Sequence, residues 1–160
     1  KISGMMLKSA APIGVSFTLL ALVTGSIWGK PTWGTWWVWD ARLTSTLILF
    51  FIYAALIGLH STIDDKTKAD RAVSILSIVG LAIIPVIKKS VDWWQTLHQP
   101  STFTITSSPS MSPDMYQPLL LCLIGFYLFF ALLLTLNLRN EILERERTKN
   151  WVKQLLGGVG

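Results

Sequence analysis

A cluster of tryptophans beside a carboxylate is the part of this sequence best suited to bind a ligand. Four of the chain's eight tryptophans fall in the stretch WGTWWVWD, which runs from Trp33 to Asp40. Each indole can bury roughly 150–250 Å² of surface, so the stretch suits a flat, hydrophobic, planar ligand. We favour that interpretation over an aromatic belt at a membrane interface, which usually needs only about one or two tryptophans per helix end.

The spacing of the cluster suggests how its side chains could converge. If the stretch is helical, one face carries Trp33, Trp36, Trp37 and Asp40, with Trp39 at its edge. Asp40 is equally well placed to cap the helix that follows, to pair with Arg42 or to orient an indole N–H.

A second stretch, KKSVDWWQTLHQP, adds Trp93, Trp94 and a histidine at position 98. If this stretch is helical, Trp94 and His98 are i,i+4 neighbours on one face. A neutral imidazole is a common ligand for metals and for haem iron. Taken alone, however, this loop favours an ordinary surface histidine.

The composition indicates that a membrane positions both stretches. Hydrophobic residues make up 51% of the chain and charged residues only 14%, whereas a soluble domain has about 25% charged residues. The net charge of +5 could suggest nucleic acid, but the charges lie at the ends of apolar runs, which is typical of membrane proteins and excludes a nucleic-acid partner. The single cysteine, Cys122, lies inside an apolar run and is read as a packing residue.

Four apolar runs are long enough, or nearly so, to cross a bilayer as helices. They cover residues 10–28, 43–59, 72–87 and 118–138. None alternates as a membrane β-strand does. The sequence therefore predicts an all-α integral membrane protein with one membrane domain over residues 1–160.

Basic residues predict the orientation of these spans. One set of connecting segments holds ten of the fourteen lysines and arginines: Lys1, Lys8, Lys66, Lys68, Arg71, Arg139, Arg145, Arg147, Lys149 and Lys153. The positive-inside rule places this set in the cytoplasm or its equivalent. The loops 29–42 and 88–117, which carry the tryptophans, then face outward. The tail, 139–160, is expected to continue the last helix with a solvated charged face.

Two motifs connect this sequence with a known family. The stretch WGTWWVWDARLTS resembles the WWD signature of the haem-handling membrane proteins of cytochrome c biogenesis. Within that superfamily, SVDWWQTLHQ and the lead-in APIG…ALVTGSIWGKP resemble the cytochrome c maturation protein C (CcmC) family. The resemblance extends from Ala11 into the tail.

The resemblance implies a function without bond-making chemistry. A CcmC-like protein would hold haem b at the outer membrane face and present it to the periplasmic chaperone CcmE, beside the ABC-type components CcmA and CcmB and the small subunit CcmD. The expected location is a bacterial inner membrane, with the WWD loop facing the periplasm; a mitochondrial inner membrane is the alternative. The main functional alternative is a haem or solute permease subunit of an ABC-type export complex.

The resemblance also implies roles for individual residues. His98 falls on the second of the family's two external histidines and is the expected axial ligand of the haem iron. The implied haem platform consists of Trp33, Trp36, Trp37, Trp39, Asp40, Trp93 and Trp94. Partners for the haem propionates are sought among Arg42, Lys30, Lys88 and Lys89, for each of which a membrane-interface cation is the alternative.

The family is typically built from six helices, and the first two, with the first histidine, have no counterpart among the four spans. His60 cannot replace that histidine. It lies about 20 residues beyond Asp40, at the far end of a spanning helix, which is roughly 30 Å at 1.5 Å per residue. We therefore expect this chain to offer the iron only one outward histidine, so its site is incomplete.

Overall fold

The computed structural model describes residues 2–94, 96–98 and 111–157, and within these ranges it contains five α-helices and no strand. The helices are α1 (Ile2–Trp33), α2 (Ala41–Thr62), α3 (Lys66–Trp93), α4 (Pro113–Arg145) and α5 (Asn150–Gly157). The first four are long and apolar enough to cross a membrane. The predicted all-α class with four spanning helices is confirmed.

Each long helix extends beyond the apolar run that predicted it. The connection between α2 and α3 shrinks to residues 63–65, and Lys88 and Lys89 lie inside α3. Each predicted apolar run ends at the first charged residue, because a charged side chain is costly to place in hydrocarbon. A helix needs no such stop, because its backbone hydrogen bonds continue equally well in water.

Aspartates define the start of two helices. The Asp40 carboxylate accepts a hydrogen bond from the backbone N–H of Leu43 at 2.8 Å and so caps α2. Asp65 caps α3 in the same way, accepting from the N–H of Thr67 at 2.9 Å. Capping satisfies backbone donors that have no partner within the helix. One of the predicted roles of Asp40 is therefore confirmed.

The core lies where α1, α2 and α3 meet. Ala11, Ile52, Leu56 and Val73 are buried together there. Gly14 permits the close approach of α1 and α2, because a Cβ at this position would lie only 2.4 Å from the ring of Tyr53.

Helix α4 is attached more loosely, through aromatic contacts with α1. The ring of Phe17 lies edge-on to Phe126 at 6.0 Å and stacks with Phe129 at 6.3 Å. The remaining apolar surface of α4 is largely exposed, and Glu141 is its one buried residue. A surface this apolar suits lipid rather than water as its surroundings.

The helices run alternately up and down, so the described residues of the connections form two groups at opposite ends of the bundle. At one end, His98 contacts Asp40, and we call this the tryptophan end because Trp33 lies beside them. At the other end, Arg145 contacts Asp70, and we call this the charged end. The two ends differ in chemistry, and the sequence motifs concern only the first.

Candidate functional site

A short hydrogen bond joins the two stretches that the sequence singled out. His98 Nδ1 lies 2.7 Å from Asp40 Oδ2. The side chains are largely buried, with 18% of His98 and 4% of Asp40 exposed. The contact bridges 58 positions of sequence. It places the predicted iron ligand directly against the carboxylate that ends the WWD motif.

Thr96 completes this contact. Its hydroxyl donates to the same Asp40 oxygen that faces His98, and it accepts a hydrogen bond from the backbone N–H of His98 at 3.1 Å. The Oγ1 atom also lies 3.1 Å from His98 Nδ1. The Asp40–Thr96–His98 triad is therefore a closed set of contacts between the start of α2 and the segment after α3.

The protonation state of the triad is set at Asp40. Burial raises the pKa of this carboxyl, but hydrogen bonds from Thr96, from the Leu43 N–H and from His98 outweigh it, so the pKa lies below its usual value. Asp40 is therefore ionised at neutral pH. An ionised carboxylate can only accept hydrogen bonds, so its partners must be the donors.

Trp33 packs against the triad from the end of α1. Its ring centroid lies 4.7 Å from that of His98, with the planes inclined at 70°. The ring of Trp33 also packs edge-on to that of Trp28, with the centroids 5.2 Å apart and the planes inclined at 82°. Gly29 leaves room for the indole, since a Cβ there would lie 3.2 Å from it. Edge-to-face contacts of this kind fix ring orientation.

The segment between α1 and α2 is irregular, but hydrogen bonds hold it against α1. Gly34 turns the chain with a φ of +78°, which favours glycine. Ser26 donates to the carbonyl oxygen of Trp36 at 2.7 Å, and Lys30 Nζ donates to that of Gly34 at 3.1 Å. These bonds hold the WWD segment against α1 without a helix.

The predicted helical arrangement of the two motifs is wrong. α1 ends at Trp33, so Trp36, Trp37 and Asp40 do not share a helical face with it. α3 ends at Trp93, and Trp94 is already extended, so Trp94 and His98 are not i,i+4 neighbours. Gly34 stops the first helix. Asp40 and Thr96, rather than helical spacing, bring the site together.

The remaining indoles of the predicted platform differ in how far they are exposed. Trp36 and Trp39 are exposed, as are Trp93 and Trp94. Trp37 packs edge-on to Trp39 at 5.4 Å. It also lines an apolar groove of about 370 Å³ between α1 and α2, and its buried Nε1 has no partner among the described residues.

The predicted propionate partners are all placed at or near the tryptophan end, but none contacts the triad. Lys30 Nζ lies 5.9 Å above the ring of Trp36. Lys89 pairs with Asp92 at 3.2 Å. Arg42 and Lys88 are exposed. The suggested Asp40–Arg42 pair is not observed, since the Asp40 carboxylate is engaged by Leu43, Thr96 and His98.

Comparison with known proteins decides the family. The family model described as "CcmC: Heme exporter protein C" matches residues 1–153. The chain belongs to this family.

Curated members of the heme exporter protein C family are similar over most of this chain. The Haemophilus influenzae protein is 48% identical over 145 residues, covering 91% of this chain and 59% of its own length. For the Escherichia coli K12 protein the identity is 47% over 156 residues, with 98% and 62% covered. The Bradyrhizobium diazoefficiens protein is 51% identical over 138 residues, with 86% and 52% covered.

The chain thus spans about three fifths or less of the length of these relatives. Together with its four apolar helices, the family match identifies a multi-pass membrane protein.

The charged end carries a polar network that the sequence did not predict. Arg145 donates two hydrogen bonds to Asp70, both at 3.0 Å, and one to Glu141 at 2.5 Å. Lys8 pairs with the other oxygen of Glu141 at 2.6 Å. The expectation that this stretch of the tail has a solvated charged face is wrong for Glu141, which is only 6% exposed.

His60 lies in this network and not at the tryptophan end. Its Nε2 is 4.0 Å from Asp70 Oδ1, and this buried nitrogen has no hydrogen-bond partner among the described residues. Asp40, which holds His98, precedes the first residue of α2, and His60 lies in the last turn of that 22-residue helix. The two histidines are therefore separated by roughly 30 Å, and they cannot bind one iron atom.

Sequence reasoning missed Thr96 and the direct Asp40–His98 bond. Thr96 does have a local signal, since a threonine two residues before a histidine can accept its backbone N–H. The Asp40–His98 bond has none, because nothing local relates position 40 to position 98.

Proposed function

We propose that this chain is part of a membrane protein that binds haem at its tryptophan end, with His98 as a ligand to the iron. The observation that carries the proposal is the 2.7 Å contact between His98 Nδ1 and Asp40 Oδ2. Metal-binding histidines commonly donate their second ring nitrogen to a carboxylate, which fixes the tautomer and makes the free nitrogen more basic.

The ionised Asp40 selects the useful form of the imidazole. Because the carboxylate can only accept, Nδ1 carries the proton, and this assignment follows from the hydrogen-bond network. Nε2 is then the nitrogen with a lone pair for iron. Asp40 also holds the ring in place, so the ligand is oriented before haem arrives.

A porphyrin-bound iron suits these residues better than a bare metal ion. Within the described ranges, no group of three or more His, Cys, Asp or Glu side chains could hold a metal ion. Haem brings four nitrogen ligands of its own and needs only axial ligands from protein. The exposed indoles of Trp36, Trp39, Trp93 and Trp94 provide flat apolar surface for its ring at the same end.

Cations around the site could bind the haem propionates. Arg42 is the second residue of α2, two positions after Asp40, and it is exposed. A guanidinium can bind a carboxylate through two parallel hydrogen bonds, which makes Arg42 the leading candidate. Lys30, Lys88 and Lys89 are point-charge alternatives on the same end of the bundle.

The family match supports the wider assignment. The relatives are named heme exporter protein C, and we assign to this chain the handling of haem b as a transported ligand. It would present haem to the chaperone CcmE and work with CcmA, CcmB and CcmD, with no catalytic step. The WWD segment would face the periplasm from a bacterial inner membrane.

Retention at one face is favoured over permeation through these helices. A solute pathway usually leaves polar groups in mid-span. Between the two ends of the bundle, the buried core formed by Ala11, Ile52, Leu56 and Val73 is apolar. The described helices therefore support a binding face rather than a pore.

Replacement of Asp40 by asparagine tests the proposal. Asparagine caps a helix as well as aspartate does, so α2 should persist. Losing the carboxylate partner of a metal-binding histidine costs about 10- to 100-fold in affinity. We expect a loss of this size when haem is titrated into the purified protein and the Soret absorbance is followed.

Asp92→Asn is the matched control, since Asp92 lies near the same end and is paired with Lys89 on the surface. It should bind haem as the unchanged protein does. Equal affinities for Asp40→Asn and Asp92→Asn would contradict the assignment of Asp40 and His98 to the haem site.

Trp33 should contribute less than the triad. Its ring is edge-on to His98, and such aromatic contacts contribute about 0.5–1.5 kcal/mol beyond burial. Trp33→Leu should therefore weaken haem binding by about 2- to 12-fold. Trp151→Leu, at the other end of the bundle, is the control, and equal binding by both variants would remove Trp33 from the site.

A further inference from the structure

We infer that Thr96 is a positioning residue that weakens the hydrogen bond between Asp40 and His98. Through this bond it sets the reduction potential of the bound iron. The inference rests on the proposed haem site. It concerns a residue outside the tryptophan motif. The Thr96 hydroxyl contacts the backbone N–H and the ring Nδ1 of His98, the proposed ligand.

The geometry gives Thr96 a specific role. Asp40 has two carboxylate oxygens with separate tasks, because Oδ1 accepts from the Leu43 N–H and Oδ2 faces His98. The Thr96 hydroxyl donates to Oδ2 and not to Oδ1. Thr96 and His98 therefore compete for the negative charge of a single oxygen atom.

We expect this competition to change the reduction potential of the iron. A carboxylate that accepts the Nδ1 proton makes the imidazole a stronger electron donor, and a stronger donor stabilises ferric over ferrous iron. A second donor on the same oxygen withdraws part of this charge. Thr96 should thus weaken the effect of Asp40 and keep the potential higher than the Asp40–His98 pair alone would.

The hydroxyl also has a second contact, so it acts as donor and acceptor at the same time. It accepts the backbone N–H of His98 at 3.1 Å while it donates to Asp40. The donor direction is therefore fixed, since the lone pairs face the His98 amide and the proton faces Oδ2. A residue without a hydroxyl loses both contacts at once.

The test compares midpoint potentials of haem bound to the full chain in detergent, measured by spectroelectrochemical titration at saturating haem. Thr96→Val removes the hydroxyl and nearly keeps the shape, and it should lower the potential. Asp40→Asn removes the charge at Nδ1 and should raise it. Thr96→Ser keeps the hydroxyl and should restore the original value.

The opposite shifts in potential expected for Thr96→Val and Asp40→Asn distinguish an electrostatic effect of Thr96 on Asp40 from a purely structural role. If Thr96 only held the loop in place, Thr96→Val would loosen the Asp40–His98 bond and raise the potential, as Asp40→Asn does. A raised or unchanged potential in Thr96→Val, or loss of haem binding in that variant, would overturn the inference. Thr96→Ala provides a second variant, and the same fall in potential is expected from it.

Failure here is distinguishable from failure of the haem site itself. If Thr96→Val leaves the potential unchanged while Asp40→Asn still weakens haem binding, only the role of Thr96 is lost. If Asp40→Asn binds haem as tightly as the unchanged protein, the proposed site is wrong as well.

Discussion

Replacing His98 with alanine should remove most of the bound haem. The substitution takes away the only imidazole at the tryptophan end among the described residues, since the other histidine of the chain lies in the charged end. The loss should exceed the roughly 10- to 100-fold expected for removing its carboxylate partner. The measurement is the haem that co-purifies with the protein, read from the Soret absorbance per polypeptide.

His60→Ala is a close control for this substitution. It removes the other largely buried imidazole of the chain, since the side chain of His60 is 7% exposed and that of His98 is 18% exposed. A general loss of stability would affect both variants. A loss of an iron ligand should affect His98→Ala alone.

Added imidazole sharpens the test further. The cavity left by His98→Ala is bordered by Asp40, whose carboxylate can still accept a ring N–H. Free imidazole should bind there and restore both the haem content and the Soret position. Unchanged haem content in His98→Ala, without imidazole, would contradict the assignment of His98 as a ligand.

The helices could be predicted from sequence because their signal is local. Each spanning run is a continuous stretch of apolar residues, and the membrane makes any other backbone arrangement costly. The helix ends were harder to predict: α3 continues through Lys88 and Lys89 to Trp93, beyond the apolar run 72–87. Hydropathy reports where the hydrocarbon ends and does not report where the helix ends.

The sequence drew attention to three residues that the structure brings into contact, but it did not predict the geometry of that contact. Trp33, Asp40 and His98 do come together, yet not through a shared helical face. Their contact depends on how the irregular segments before α2 and after α3 meet, and a carboxylate–imidazole bond across 58 positions has no periodicity to reveal it. The resemblance to a family identified the residues, and the structure supplied their bonding.

The network at the charged end could not be predicted from the sequence for a related reason. Glu141 and Arg145 have the i,i+4 spacing that stabilises exposed helices, and spacing alone gives no information on burial. Asp70 joins them from α3, where Gly4 of α1 leaves space for it: a Cβ on Gly4 would lie 2.3 Å from the Asp70 carboxylate carbon. Only the packing of three helices turns a surface pair into a buried one.

Replacement of Arg145 by methionine should cause the largest loss of stability among single changes at the charged end. The guanidinium is 14% exposed and binds both Asp70 and Glu141. Removing one partner of a buried ion pair leaves an uncompensated charge, which costs about 3–5 kcal/mol. Thermal unfolding of the full chain in detergent, followed by circular dichroism, should show a much lower midpoint.

Arg147→Met is the matched control, because Arg147 lies two residues further on and is exposed. Its midpoint should stay close to that of the unchanged protein. Combining Arg145→Met with Asp70→Asn should recover part of the lost stability, since the stranded carboxylate is neutralised while Lys8 still pairs with Glu141. Equal midpoints for Arg145→Met and Arg147→Met, or a double variant less stable than Arg145→Met, would show that the network does not hold α3 and α4 together.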